Sequence, residues 1–183
     1  YLNAKISERN RYRKTWSTVV GWGLSVAPLP TIGGSLGYYI TPNILAELGI
    51  YRGAGLTKIG ETEGNLNWKY TEARAKWFLG NSFYLNTGVG QKSLDINLDF
   101  LESPSSLMAS GVSYGVGNRW QWETFSIGCD WLGAFRPLDS KISRTGNRIN
   151  IDDEAQEDWD DLWAAIGSPS NLQIFRLYMG VSL

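Results

Sequence analysis

From Trp16 onward, bulky apolar residues recur at every second position, the period of a β-strand. Trp16, Thr18, Val20, Trp22, Leu24 and Val26 alternate with Ser17, Val19, Gly21, Gly23, Ser25 and Ala27, so one face is large and greasy and the other small. Pro28 and Pro30 end this strand. The same alternation predicts seven more strands. Their bulky faces carry Leu36, Tyr38 and Ile40; Ile44, Ala46, Leu48 and Ile50; Ala73, Ala75 and Trp77; Phe83, Leu85, Thr87 and Val89; Met108, Val112, Tyr114 and Val116; Phe125, Ile127, Cys129 and Trp131; and Phe175, Leu177, Met179, Val181 and Leu183. In the sixth strand Ser110 falls on the bulky face. Short turns are expected at 41–43, 79–81 and 118–120, and long connections over 53–65, 91–105 and 136–170.

An even number of strands with short turns at one end and long loops at the other predicts an all-β fold, an eight-stranded antiparallel up-and-down transmembrane β-barrel spanning 16–183. A soluble barrel would put its charges outside and its apolar residues within. Here the strand charges Glu47, Glu72, Arg74, Lys76, Asp130 and Arg176 share the face of glycine and serine. An eight-stranded lumen is only wide enough for side chains to fill it, so these charges are expected to pair into a plug. Trp16, Trp77, Trp120 and Trp122 are placed near the short-turn end and Trp68 and Trp131 near the long-loop end, as interfacial belts. Cys129 reads as a small lipid-facing residue.

Composition narrows the chemistry. The 183 residues contain no histidine and one cysteine, which excludes imidazole catalysis, histidine metal sites and an internal disulfide. A net charge of −1 argues against nucleic acid as a partner. No cofactor or metal is expected; the acidic run at 152–161 lacks the spacing and glycine of a calcium-binding EF-hand loop. The chain opens at Tyr1 without an initiator methionine or signal peptide and reads as a mature or trimmed form.

The alternating strands, the turns YYITPN (38–43) and FLGNSFY (78–84) and the terminal FRLYMGVSL resemble the small eight-stranded outer-membrane barrels typified by the transmembrane domain of outer-membrane protein A. The resemblance covers about 16–183. It implies a bacterial outer-membrane location with both termini periplasmic, contact with outer-membrane lipid and lipopolysaccharide, and assembly by the barrel-assembly machinery. That machinery would read Phe175, Leu177, Met179, Val181 and Leu183, although the last residue is leucine rather than an aromatic. Some barrels of this architecture remodel lipid A with a catalytic histidine, which this chain lacks.

Two segments lie outside the strands. Residues 1–15 form a basic, periplasmic leader with Lys5, Arg9, Arg11, Arg13 and Lys14, read as a short helix or an extended, solvated terminus. In the outer loop 136–170, Trp159, Leu162, Trp163 and Ile166 fall on one face of a helix expected near 153–166, which could lie over the barrel mouth or dock another envelope protein. The expected function is a non-enzymatic structural or protein-interaction barrel with a plugged lumen, whose partner would bind through 136–170 or the leader. The alternatives are a narrow pore for ions or small apolar solutes and, further off, a lipid-modifying enzyme.

Overall fold

In the computed structural model, described for residues 6–25, 30–59, 62–98, 105–143 and 171–183, a short helix precedes eight strands that close into a barrel. The elements are α1 (Ile6–Arg11), β1 (Trp16–Ser25), β2 (Pro30–Thr41), β3 (Ile44–Ile59), β4 (Thr62–Phe78), β5 (Phe83–Leu98), β6 (Ser105–Gln121), β7 (Phe125–Ser143) and β8 (Asn171–Ser182). Each strand pairs antiparallel with its sequence neighbour, and β1 pairs with β8 to close the ring. Closure satisfies every edge, which a sheet in hydrocarbon requires.

The two faces sort as the alternation predicts. Val20, Ile32, Leu36, Ile40, Leu48, Ile50, Trp77, Val89, Tyr114, Leu177 and Met179 are exposed on the outside. Glu47, Glu72, Arg74, Lys76, Asp130 and Arg176 are buried within.

The strands run further than their sequence signals. The segment expected as a loop at 53–65 is hairpin: β3 and β4 stay in register to Ile59 opposite Thr62. β5 continues to Leu98, and β7 continues through Arg136 to Ser143. The turn expected at 118–120 lies instead at 122–124, because β6 runs on to Gln121. A bulge between Val116 and Gly117 leaves Trp131 without a partner, so Trp131 and Leu132 are both exposed. At about 3.3 Å per residue and a tilt near 40°, the 17 residues of β4 rise roughly 40 Å, against an apolar band of about 25 Å.

The outer surface records where that band stops. On β3 the outward series Ile44, Ala46, Leu48, Ile50 gives way to Arg52. On β4, Trp77, Ala75 and Ala73 give way to Thr71, Lys69, Asn67 and Asn65, and on β5, Leu85, Thr87 and Val89 give way to Gln91, Asp95 and Asn97. Ser110 is the corresponding exposed position on β6. Beyond this line the interior changes in the opposite sense, from ionic to aromatic and aliphatic: Tyr51, Tyr70, Ala109 and Phe135 cluster, and Leu66, Ile96 and Leu107 are buried.

Trp68 is corrected by the same geometry. It shares the inward face of Tyr70 and Glu72 and packs on the aromatic cluster rather than on an outer belt. Gly53 makes room for it, since a β-carbon there would collide with its indole nitrogen. Cys129 is 1 % exposed, so the lipid-facing reading fails. It lies in register between Asn118 and Leu177, and the Trp131 indole spans those flanking strands, donating to Asn118 Oδ1 at 2.9 Å and lying 6.0 Å from the Phe175 ring. The helix expected near 153–166 and its face Trp159, Leu162, Trp163, Ile166 lie outside the described residues. The helix that the described residues contain is α1.

Candidate functional site

The inward charges come from strands on opposite sides of the ring, and the register brings them to one level. Glu47 and Arg74 are direct partners across β3 and β4, and Asp130 and Arg176 are partners across β7 and β8. Arg74 joins the two halves. Its Nε donates to Glu47 Oε2 at 2.8 Å, and its Nη1 lies 3.2 Å from Glu72 Oε1 and 3.1 Å from Asp130 Oδ2. Arg176 spans the same gap from the other side, with Nε on Asp130 Oδ2 at 2.7 Å and Nη1 on Glu72 Oε1 at 3.2 Å. Lys76 Nζ sits 3.1 Å from Glu47 Oε2. All six residues anticipated as a lumen network are thus brought together.

The network is wider than those six. Arg119 is fully buried, with Nη1 3.6 Å from Glu47 Oε1 and Nη2 donating to the hydroxyls of Ser17, Ser126 and Ser182 at 2.6, 2.9 and 3.1 Å. Reading Asn118-Arg119 as a turn hid it. The signal was present, because Arg119 continues the small inward series Gly111, Ser113, Gly115, Gly117. Tyrosines complete the set. Tyr84 donates to Asp130 Oδ1 and lies 3.0 Å from the Tyr178 hydroxyl, and Tyr70 donates to Glu72 Oε2 at 3.0 Å. The Lys76 ammonium is 4.3 Å from the Tyr178 ring centre, and the Arg176 guanidinium 4.4 Å from that of Tyr51. Gly117 and Gly128 are the seats of Tyr84 and Tyr178, since a β-carbon at either would meet the ring. Three carboxylates and four cations therefore share one buried layer, each carboxylate held by at least two cations. Removing water from such charges costs several kcal/mol per ion, which close pairing and extra hydrogen bonds must offset.

Lys92 is a second inward cation that sequence reasoning missed. It stands over Phe135 at 4.3 Å and Tyr70 at 5.4 Å, above the ionic layer. From residue 91 the outward series turns polar, so the alternation no longer marks its facing.

The short-turn end is covered by α1. Arg11, fully buried, donates to the carbonyls of Pro42 at 3.0 Å, Gly80 at 2.8 Å and Asn81, and lies 4.0 Å over the Phe78 ring. Ser7 Oγ accepts from the Gln121 amide at 3.0 Å, Asn10 Nδ2 donates to the Gln121 carbonyl at 3.0 Å, and the Glu8 amide donates to Asn81 Oδ1 at 3.2 Å. One helix is thereby tied to two of the short turns and to the end of β6. Burial lowers the Arg11 guanidinium to about 10, with opposing help from Tyr39 and Glu8. Beneath it Tyr39, Leu45, Phe78 and Tyr84 form an apolar layer. Among the described residues there is no group of three or more Cys, Asp or Glu that could hold a metal ion.

A closed ring of eight antiparallel strands, apolar outside and ion-paired within, defines an outer-membrane-type β-barrel. One solved structure shares the fold. The chain is similar to the N-terminal β-barrel domain of Pseudomonas aeruginosa OprF, with 14 % identity, 93 % of this chain and 98 % of that chain covered, and a TM-score of 0.55. Acinetobacter baumannii CarO2 aligns at 11 % identity over 93 % of this chain and 99 % of that chain with a TM-score of 0.47, and the fold argument does not rest on it. No family model and no curated protein matches the chain. At these identities the likeness carries the fold and nothing finer.

Proposed function

We propose that this chain is a non-enzymatic barrel of the bacterial outer membrane, with a sealed lumen, acting as a structural or protein-interaction component of the envelope. The observation that carries this reading is the Arg74-centred network. It joins β3, β4, β7 and β8 across the lumen, and α1 covers the end beyond it. Glu47, Glu72 and Asp130 are each committed to cations, so none is free to act as a general acid or base. Membrane residence is supported by the outward band from Leu48 and Trp77 to Arg52 and Lys69, where the outer surface turns polar while the strands continue.

In the same reading both termini face the periplasm and the C-terminal Phe175, Leu177, Met179, Val181, Leu183 series is the assembly signal. A partner engages 136–170, through Trp159, Leu162, Trp163 and Ile166, or the leader. Planar-bilayer recording with pure protein tests the seal. The expected result is no reproducible conductance in wild type; steady single-channel currents would favour a narrow pore instead. Deleting 150–168 should leave the barrel intact and abolish partner capture from envelope extracts, and undiminished capture would remove the loop's assigned role.

A further inference from the structure

At the outer edge of the apolar band, Arg52 of β3 and Lys69 of β4 are direct partners in the sheet, and both are exposed on the outer face. Side chains directly opposite stand about 5 Å apart at their β-carbons, and like charges placed so destabilise a sheet. Among the described residues no carboxylate is a direct cross-strand partner of either cation. Among the described residues neither makes an ion pair within 4.0 Å, and the outward acid of the next strand, Asp95, is opposite Asn67 rather than Lys69. The remaining surroundings are apolar or neutral. Ile32 is opposite Arg52, Ile50 lies two residues below it, and Thr71 and Gln91 pair with each other just below Lys69. Two unneutralised cations therefore stand over exposed isoleucines, with neutral hydrogen-bonding groups at their feet.

We propose that Arg52 and Lys69 form a binding site for the phosphate of a lipid headgroup, whose acyl chains lie along Ile32, Leu48 and Ile50. The proposal rests on the membrane reading above. A planar guanidinium beside a mobile ammonium suits a phosphate, the first by a two-point bond and the second as a point charge. The anion replaces a like-charge clash with a shared acceptor, and the apolar strand surface beneath holds the lipid tail. Thr71 and Gln91 supply contacts for hydroxyl or amide groups of the headgroup.

The test uses the full chain in phosphatidylcholine nanodiscs, with lipid retention read by native mass spectrometry. Wild type should retain lipid A carrying both phosphates roughly tenfold better than dephosphorylated lipid A. Arg52→Gln/Lys69→Gln should lose that preference, whereas Arg9→Gln/Arg13→Gln, at the opposite end, should keep it. Lys69→Gln alone should lose part of it, and in phosphatidylcholine its melting temperature should equal or exceed that of wild type. The proposal is overturned by an unchanged preference in the double variant, by no preference in wild type, by an equal loss in the Arg9/Arg13 control, or by destabilisation of Lys69→Gln without anionic lipid. Failure of the barrel to enter nanodiscs would instead overturn the membrane reading.

Discussion

Replacing Glu47 by glutamine changes little in shape and removes the one negative charge that Arg74, Lys76 and Arg119 share, at 2.8, 3.1 and 3.6 Å. The three cations are left unequally placed. Arg74 keeps Glu72 and Asp130. Lys76 and Arg119 keep no carboxylate among the described residues: Lys76 keeps the rings of Tyr84 and Tyr178, and Arg119 keeps three serine hydroxyls and the Tyr39 ring at 6.0 Å. Stripping one partner from a buried pair costs about 3–5 kcal/mol, and the upper part of that range is expected for Glu47→Gln. The reverse deletion is milder. Lys76→Met leaves Glu47 with Arg74 and Arg119, so a loss of about 1–2 kcal/mol is expected. In the double variant the stranded ammonium is gone, and the combined loss should fall short of the sum by about 2 kcal/mol. Reversible urea unfolding in lipid vesicles, followed by tryptophan fluorescence and heat-modifiable gel mobility, measures all four corners of the cycle. A Glu47→Gln loss under about 1 kcal/mol, or strict additivity with Lys76→Met, would refute the account of a buried, mutually dependent network.

Four further outcomes are expected. Arg11→Met removes three charge-assisted bonds to carbonyls and should release α1 to protease while the barrel stays folded, at a cost of about 2 kcal/mol. Because burial lowers Arg11 to about 10, the unfolded chain holds a proton that the folded chain gives up only between pH 10 and 12.5; stability from this group rises across that window and is flat below it, so α1 protection should not change between pH 6 and 9. Gly128→Ala drives a β-carbon into the Tyr178 ring and should cost about 1–3 kcal/mol, whereas Gly80→Ala meets nothing within 4 Å and should be neutral within about 0.5 kcal/mol in the same unfolding assay. Leu48→Lys puts a charge at a position 66 % exposed on the outer face and should cost about 2–4 kcal/mol in vesicles, while Lys69→Leu, beyond the band, should cost less than 1; equal costs would contradict the assigned boundary.

How far the barrel was legible in its sequence follows from where the polarity of its two faces is constant. Between Ile44 and Ile50, Ala73 and Trp77, or Phe83 and Val89, the outward residues are bulky or apolar and the inward ones, apart from Leu45 and Tyr84, are small, polar or charged, so alternation identifies both strand and facing. Glu47, Arg74 and Lys76 lie in these stretches, and Glu72, Asp130 and Arg176 sit where the same alternation holds on β4, β7 and β8. Past Arg52, Thr71 and Gln91 the strands keep their register while the polarity inverts: outward come Lys69, Asn67 and Asn65, inward come Tyr70, Trp68 and Leu66. A pattern that changes sign in mid-strand has no steady period, so it reads as loop, although the backbone never leaves the sheet. Trp68 and Lys92 were misplaced or missed for that reason. Arg119 was missed for a more local one, the turn-like Asn-Arg pair beside the bulge at Gly117.

The inversion also explains how one barrel can be stable on both sides of the line. In hydrocarbon, an apolar exterior requires the ring's polar groups to be satisfied inward, and the ionic layer around Arg74 does this. In water the requirement reverses, and the extension of β3 to β7 has a mostly polar skin, broken by Met108 and Leu138, over Tyr51, Tyr70, Phe135, Leu66, Ile96 and Leu107, the ordinary arrangement of a soluble core. Each zone would be unstable in the other's solvent. The line through Arg52, Thr71, Gln91 and Ser110 is therefore set by the medium on both faces at once, and a lumen ionic on one side of it and aromatic on the other is a consequence of the same boundary rather than a separate feature.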